Sequence, residues 1–100
     1  MFSVNKVPIR LTEKQWGHII KRHPELKGQK EKITETISEP DFIQEGDEGT
    51  FISIRHYSKT PLTEKYCIVV YREVNKQEGF VITAYFATKP VKWRRTLWKR

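Results

Sequence analysis

The sequence contains one cysteine, one methionine and three histidines in 100 residues. A single cysteine, Cys67, excludes a disulfide within the chain, and its apolar neighbours predict a buried, reduced thiol. The histidines at positions 18, 23 and 56 form no pair with the spacing of a metal-binding motif. We therefore expect no metal ion and no cofactor.

Long apolar runs are also missing. No stretch approaches the roughly 20 apolar residues of a transmembrane helix, and the N-terminus lacks the apolar segment of a signal peptide. We therefore expect a cytoplasmic protein without a membrane partner. The sequence has no internal repeat, so residues 1–100 are predicted to form one domain, with a core over about residues 9–88 and a basic tail at 89–100.

Acidic residues are scarce in the second half of the chain. Residues 1–50 carry eight Lys and Arg against nine Asp and Glu, whereas residues 51–100 carry eleven against three. The net charge of +7 therefore comes from the second half. A concentrated positive field favours a polyanionic partner such as nucleic acid or an acidic protein. The alternative is that these cations are simply solvated.

A helix is predicted between Thr12 and His23. Thr12 can accept a hydrogen bond from the first turn while Gln15 reaches back to it, which is a capping box. Pro24 disfavours helical geometry in the residue before it, so the helix should end there. One face is apolar and consists of Trp16, Ile19, Ile20 and His23. The other face is cationic and consists of Lys14, His18 and Arg22.

The rest of the chain predicts an α+β fold, with two N-terminal helices packed on one face of a small antiparallel sheet of three to four strands. Residues 29–38 have the period of a second helix, with Ile33 and Ile37 facing the core. Alternating apolar residues then indicate strands. The expected extended segments are residues 7–11, 42–43, 50–57, 65–74 and 80–88. The connections between the later segments are expected at residues 45–49, 58–64 and 75–79.

Alternation also predicts which side chains share a face of the sheet. His56 alternates with Ile52 and Ile54, which favours a place in the core. The opposite face, left open by the helices, is predicted to carry Ser53, Arg55, Tyr57, Thr83 and Tyr85. Arg55 is the strongest functional candidate among these, because a cation in a strand built for packing has no evident structural need.

The basic tail at residues 89–100 has six cations, no acid and two Trp. Aromatic residues between cations suit RNA, because rings stack on bases while cations contact phosphates. The candidate nucleic-acid-binding residues are Lys89, Lys92, Trp93, Arg94, Arg95 and Trp98. The alternative is that Val91, Trp93, Leu97 and Trp98 dock on the domain and the cations are solvated.

Two short motifs carry a resemblance to a known family. The first helix reads W-x-H-I-x-x-R-H-P-E and the last predicted strand contains I-T-A-Y. This chain resembles small phage and bacterial members of the barnase/EndoU/colicin/RelE-type nuclease superfamily over about residues 9–88. The resemblance implies an α+β ribonuclease that needs no metal, often a toxin of a toxin–antitoxin pair or a phage-associated protein. It implies RNA as the substrate, with an acidic antitoxin or inhibitor protein as a further partner.

By motif, the site residues implied by the resemblance are His18, Arg22, His23, Pro24, Glu25, Thr83 and Tyr85, with Arg55 as the strand cation. Histidine can act as base or acid, arginine binds phosphate oxygens, and hydroxyls orient the phosphate. Each residue also has a structural alternative: His23 can bond backbone carbonyls, His18 can be an ordinary surface residue, and Glu25 can pair with Arg22. The sequence leaves open which histidine is the acid and which the base.

Three functions are therefore compatible with the sequence. The first is an endoribonuclease that cleaves RNA through attack of the 2′-hydroxyl. The second is a nucleic-acid-binding domain without catalysis, which uses the basic second half of the chain. The third is an inert descendant of a nuclease that acts through a protein partner.

Overall fold

A computed structural model describes residues 1–60, 63 and 65–100 as two α-helices and one mixed sheet. The helices are α1, Glu13–Arg22, and α2, Lys30–Ser38. The strands are β1 (Ile9–Arg10), β2 (Phe42–Glu45), β3 (Phe51–His56), β4 (Tyr66–Asn75), β5 (Glu78–Ala87) and β6 (Thr96–Lys99). Two single 3-10 turns lie at Pro24–Leu26 and Asp47–Gly49. The predicted connection at residues 58–64 includes Pro61, Leu62 and Glu64, which lie outside the described residues.

The α+β class is confirmed, but the prediction of three to four antiparallel strands is wrong. The described part of the chain forms a six-stranded sheet in the order β1-β5-β4-β3-β2-β6. Strand β1 runs parallel to β5, with Ile9 opposite Gly79, and β6 runs antiparallel to β2. The two edge strands have only two and four residues, too short to show a clear alternation.

Helix α1 begins as the sequence predicts, because Thr12 Oγ1 accepts a hydrogen bond of 3.1 Å from the Gln15 amide. The prediction that the Gln15 side chain reaches back to Thr12 is wrong, because Gln15 Nε2 instead donates to the Ile82 carbonyl on β5. The helix ends before Pro24, where the His23 amide donates to the Ile19 carbonyl at 2.8 Å. The cap therefore fixes where α1 starts, and Gln15 fixes where it lies on the sheet.

Both helices pack on one face of the sheet, which we call the helix-covered face. Its buried side chains include Ile19, Leu26, Ile33 and Ile37 from the helical half of the chain, packed on Cys67 and its neighbours. The prediction that Cys67 is buried is confirmed, since its exposure is 0%. Burial raises the pKa of the Cys67 thiol to about 11, so the group is neutral near pH 7.

The predicted assignment of side chains to the two faces is partly wrong. Ser53 pairs with Val69 and Arg55 pairs with Cys67, and residues paired across strands point to the same face. Because Val69 and Cys67 are in the helix-covered core, Ser53 and Arg55 lie on the helix-covered face and not on the open one. The expected open-face set is therefore divided between the two sides of the sheet.

A β-bulge at Ile82 places Thr83 on the other face. Tyr71 pairs with Val81, whereas the preceding residue, Val70, pairs with Thr83. The extra residue on β5 interrupts the alternation. Val81 is therefore buried in the helix-covered core, while Thr83 and Tyr85 lie on the opposite face.

Residues 89–100, here called the C-terminal arm, are docked and end in β6. Gln44 Nε2 donates to the Val91 carbonyl at 2.7 Å, and the Glu45 amide donates to the Arg95 carbonyl at 2.8 Å. The docking alternative is correct only in part: the arm is docked, but Val91, Trp93, Leu97 and Trp98 all remain exposed, and three of its arginines pair with acids instead of being solvated. The arm is held by backbone pairing and ion pairs more than by apolar burial. Within the described residues, no helix is long and apolar enough to cross a membrane.

Candidate active site

A cavity of about 540 Å³ lies between α1 and β5. We call it the helix-edge cavity, and its lining residues are Gln15, His18, Ile19, Arg22, His23, Ile82, Thr83 and Tyr85. It brings together five of the six predicted catalytic residues, from segments about 60 residues apart in the sequence. Imidazole, guanidinium and hydroxyl groups thus line one space.

The cavity exists because β5 has a partner along only part of its outer edge. Strand β1 pairs with Gly79 and Phe80 and then ends. The following residues of β5 lie beside α1, which Gln15 ties to the Ile82 carbonyl. The edge of β5 that carries Thr83 and Tyr85 is therefore accessible from the side of α1.

His18 and Arg22 reach the cavity from successive turns of α1. They are spaced i, i+4, so their side chains lie on one side of the helix. Both are exposed, and neither side chain has a hydrogen-bond or ion-pair partner among the described residues. Arg22 therefore has its guanidinium donors available for an anion.

His23 caps the C-terminus of α1 and is half-buried. Its ring centroid is 5.6 Å from that of Tyr85, and its Nδ1 is 3.6 Å from Glu25 Oε2. The hypothesis that His23 bonds backbone carbonyls finds no such side-chain bond among the described residues. Glu25 pairs with His23 and not with Arg22. The carboxylate and the phenol ring together restrict how the imidazole can turn.

Arg55 is the predicted site residue that the cavity excludes. Its Nη1 donates to the carbonyl of Glu39, the residue that ends α2, and its guanidinium lies 5.5 Å from the Tyr57 ring centroid. A cation at a helix C-terminus neutralises the partial negative charge of the last carbonyls. Arg55 thus has a structural role, and the inference that it had none is wrong.

His56 is another residue for which the sequence prediction is wrong. It is exposed instead of buried, and its ring meets that of Tyr66 edge-on at a centroid distance of 5.0 Å. It lies at the end of β3 opposite Tyr66, on the same face as Ile54, whose cluster is separate from the helix-covered core. It does not line the helix-edge cavity.

A second cavity, of about 490 Å³, lies on the other face of the sheet beneath the C-terminal arm. We call it the sheet-face groove. It shares Ile82, Thr83 and Tyr85 with the helix-edge cavity, so the two spaces meet along β5. Its other lining residues include Gln44, Asp47, Ile54, Ile68, Lys89, Val91, Trp93 and Arg94.

Only some of the predicted nucleic-acid-binding residues of the arm lie at this groove. Lys89, Trp93 and Arg94 line the sheet-face groove, whereas Lys92, Arg95 and Trp98 do not. Arg95 pairs with Glu45 at 3.1 Å. Trp98 pairs with Ile43, which is opposite Ser53, so it belongs to the helix-covered side.

Two lining residues of the helix-edge cavity, Gln15 and Ile82, were missed by sequence reasoning. Gln15 was predicted to complete the helix cap, and Ile82 was not a candidate site residue. The I-T-A-Y motif was the available signal, since it includes Ile82, but no local pattern indicates the bulge. Among the described residues, no group of three or more His, Cys, Asp or Glu side chains is arranged to hold a metal ion.

Comparisons of the chain with models of protein families, with characterised proteins and with solved structures find no match. The chemistry of the site must therefore be inferred from its own side chains.

Proposed function

We propose that the protein is a metal-independent endoribonuclease that cleaves RNA through attack of the 2′-hydroxyl on the adjacent phosphate. The observation that carries the proposal is the helix-edge cavity, which groups His18, Arg22, His23, Thr83 and Tyr85. Cleavage of this type requires a base, an acid and a cation for the phosphorane, and this cavity contains all three. Three further expectations belong to the same proposal. The toxin or phage-associated role derives from the family resemblance, the cytoplasmic location from the lack of long apolar runs, and an acidic protein inhibitor from the resemblance together with the positive charge of the second half of the chain.

In the proposed mechanism, His23 is the general base. Its Nδ1 faces Glu25, and this carboxylate stabilises the imidazolium that forms when the other ring nitrogen accepts the 2′-hydroxyl proton. His18, five residues earlier on the cationic face of α1 and exposed to solvent, donates a proton to the leaving 5′-oxygen. Arg22 binds two phosphate oxygens, and the hydroxyls of Thr83 and Tyr85 orient them. The products are a 2′,3′-cyclic phosphate and a free 5′-hydroxyl.

The ion pairs of the arm disfavour non-catalytic binding through a free basic tail. Arg94 pairs with Asp47 at 3.1 Å, Arg95 with Glu45 at 3.1 Å, and Arg100 with Asp41 at 2.8 Å. Phosphate contacts by these guanidinium groups would compete with carboxylates already in place. The arm therefore has fewer available cations than its composition indicates.

The test compares an RNA oligonucleotide with its 2′-deoxy counterpart in EDTA. We expect cleavage of the RNA alone, with a 2′,3′-cyclic phosphate on the product detected by mass spectrometry. His23→Gln and Arg22→Met should each lower kcat/KM by about 10²-fold or more. Lys21→Met is the matched control, because Lys21 is exposed on the last turn of α1 but does not line the cavity.

The Lys21→Met control should change kcat/KM by no more than about twofold, since Lys21 does not line the cavity and an exposed substitution leaves the fold intact. Cleavage of both nucleic acids, or restoration of activity only by added metal, would contradict the proposed reaction. Full activity in both cavity variants would show that cleavage takes place elsewhere.

A further inference from the structure

The floor of the sheet-face groove is aliphatic, and its isoleucines Ile54 and Ile68 are almost fully buried. Ile54 and Ile68 lie side by side on β3 and β4 and belong to a small cluster separate from the helix-covered core. Polar side chains border this floor, among them Gln44, Thr83, Tyr85, Lys89 and Arg94. An apolar floor bordered by polar groups fits a planar heteroaromatic ring, which has apolar faces and polar edges.

Trp93 stands at the rim of this groove and is the most exposed large apolar side chain described, with an exposure of 74%. Its position is nevertheless defined. The Arg94 guanidinium lies 4.3 Å from the Trp93 ring centroid and pairs with Asp47, and Gln44 holds the neighbouring Val91 carbonyl. The indole is therefore presented to solvent on a held segment, which is the arrangement expected of a stacking surface.

The two cavities share Ile82, Thr83 and Tyr85, and each has cations in its lining. Arg22 lines the helix-edge cavity, and Lys89 and Arg94 border the groove. A polyanion with a planar group beside each phosphate would match this arrangement, with its phosphates at the cations and its planar group on the apolar floor. Nucleotides have that structure.

We propose that the sheet-face groove binds the base of the nucleotide adjacent to the phosphate in the helix-edge cavity, with Trp93 stacking on that base. The inference rests on the proposed function, because the cavity supplies the position of the phosphate. Trp93 is a binding residue in this arrangement and takes no part in proton transfer.

The test measures binding without cleavage. The probe is a fluorescent 2′-deoxy oligonucleotide of eight residues, which lacks the nucleophile, together with the same backbone carrying abasic sites. At fixed salt, Trp93→Ala should weaken binding of the base-containing probe about tenfold, as stacking on one base predicts. Binding of the abasic probe should not change, and Trp93→Phe should retain most of the affinity.

Trp98→Ala is the matched control, because Trp98 is also in the arm but lies on the helix-covered side. It should bind both probes as the wild type does. Three results would each overturn the inference. They are equal losses of affinity for the base-containing probe in Trp93→Ala and Trp98→Ala, wild-type affinity of Trp93→Ala for that probe, and no binding of that probe by the wild type.

Failure of the proposed function gives a different result. If the protein does not cleave RNA but Trp93→Ala loses only base-dependent binding, the groove is a base-binding site and the nuclease proposal is wrong. If RNA is cleaved and Trp93→Ala binds both probes normally, the nuclease proposal stands and the groove inference is wrong.

Discussion

Replacing Arg55 should destabilise the protein without impairing cleavage, and Arg55→Met tests this while preserving the apolar stem. The variant removes the donor to the Glu39 carbonyl and the cation beside Tyr57. Loss of a hydrogen bond from a charged group costs about 1.5–3 kcal/mol, and the cation–π contact adds about 0.5–1 kcal/mol. Arg100 also donates to Glu39 O at 3.4 Å and offsets part of the loss. We therefore expect a net decrease in the free energy of unfolding of about 2 kcal/mol.

Urea denaturation followed by circular dichroism measures this change, and the unfolding midpoint should fall by about 1–2 M. Cleavage of RNA per folded molecule should stay at the wild-type value. Arg22→Met is the reciprocal control: its side chain is exposed, so stability should change by less than about 0.5 kcal/mol while activity is lost. An Arg55→Met protein that is as stable as the wild type but inactive would refute the structural role assigned to Arg55.

Three further predictions concern two backbone positions and the dependence of stability on pH. Gly17→Ala should stabilise the protein by about 0.5–1 kcal/mol, because Gly17 lies inside α1 and nothing is within 4 Å of an added Cβ. Gly79→Ala should instead lower the melting temperature, because its Cβ would lie 2.6 Å from Arg72 O and 2.6 Å from Ile9 Cδ1; equal melting temperatures would contradict this. Burial raises the pKa of Cys67 from 9.0 to about 11, so the unfolded state loses its proton first and stability should fall as the pH rises above about 9. Cys67→Ala should reduce that fall in urea titrations between pH 9 and 10.5, and an unchanged slope would contradict the assignment.

Local signals predicted the helices and the central strands well. The Thr12 cap and Pro24 bracket α1, and the predicted second helix at 29–38 differs from α2 by one residue. The predicted strands at 65–74 and 80–88 agree with β4 and β5 to within about two residues. These elements are specified by neighbours in the sequence, through caps, breakers and alternation.

Long-range pairing could not be predicted in the same way. The arm forms β6 because β2 offers a free edge, and because acids such as Asp41 and Asp47 from the first half of the chain meet its arginines. The charge asymmetry between the two halves is real, but the sequence does not show that acids of the first half pair with cations of the second. Much of the arm's positive charge is paired within the fold.

The candidate site was predicted more fully than the sheet that supports it. The motif residues His18, Arg22 and His23 do lie together with Thr83 and Tyr85. Arg55 was misplaced because alternation shows which residues share a face but not which face the helices cover. That choice depends on how α1 and α2 pack, and no single strand contains the information.

The bulge at Ile82 lets one continuous strand contribute to the core before it and to the opposite surface after it. Up to Val81 the inward side chains of β5 complete the hydrophobic interior, and from Thr83 onward alternate side chains point to the opposite surface. Without the bulge, regular alternation from Val81 would have placed the hydroxyls of Thr83 and Tyr85 beneath the helices. Where the chain presents its polar groups is thus decided by one surplus residue in the backbone ladder.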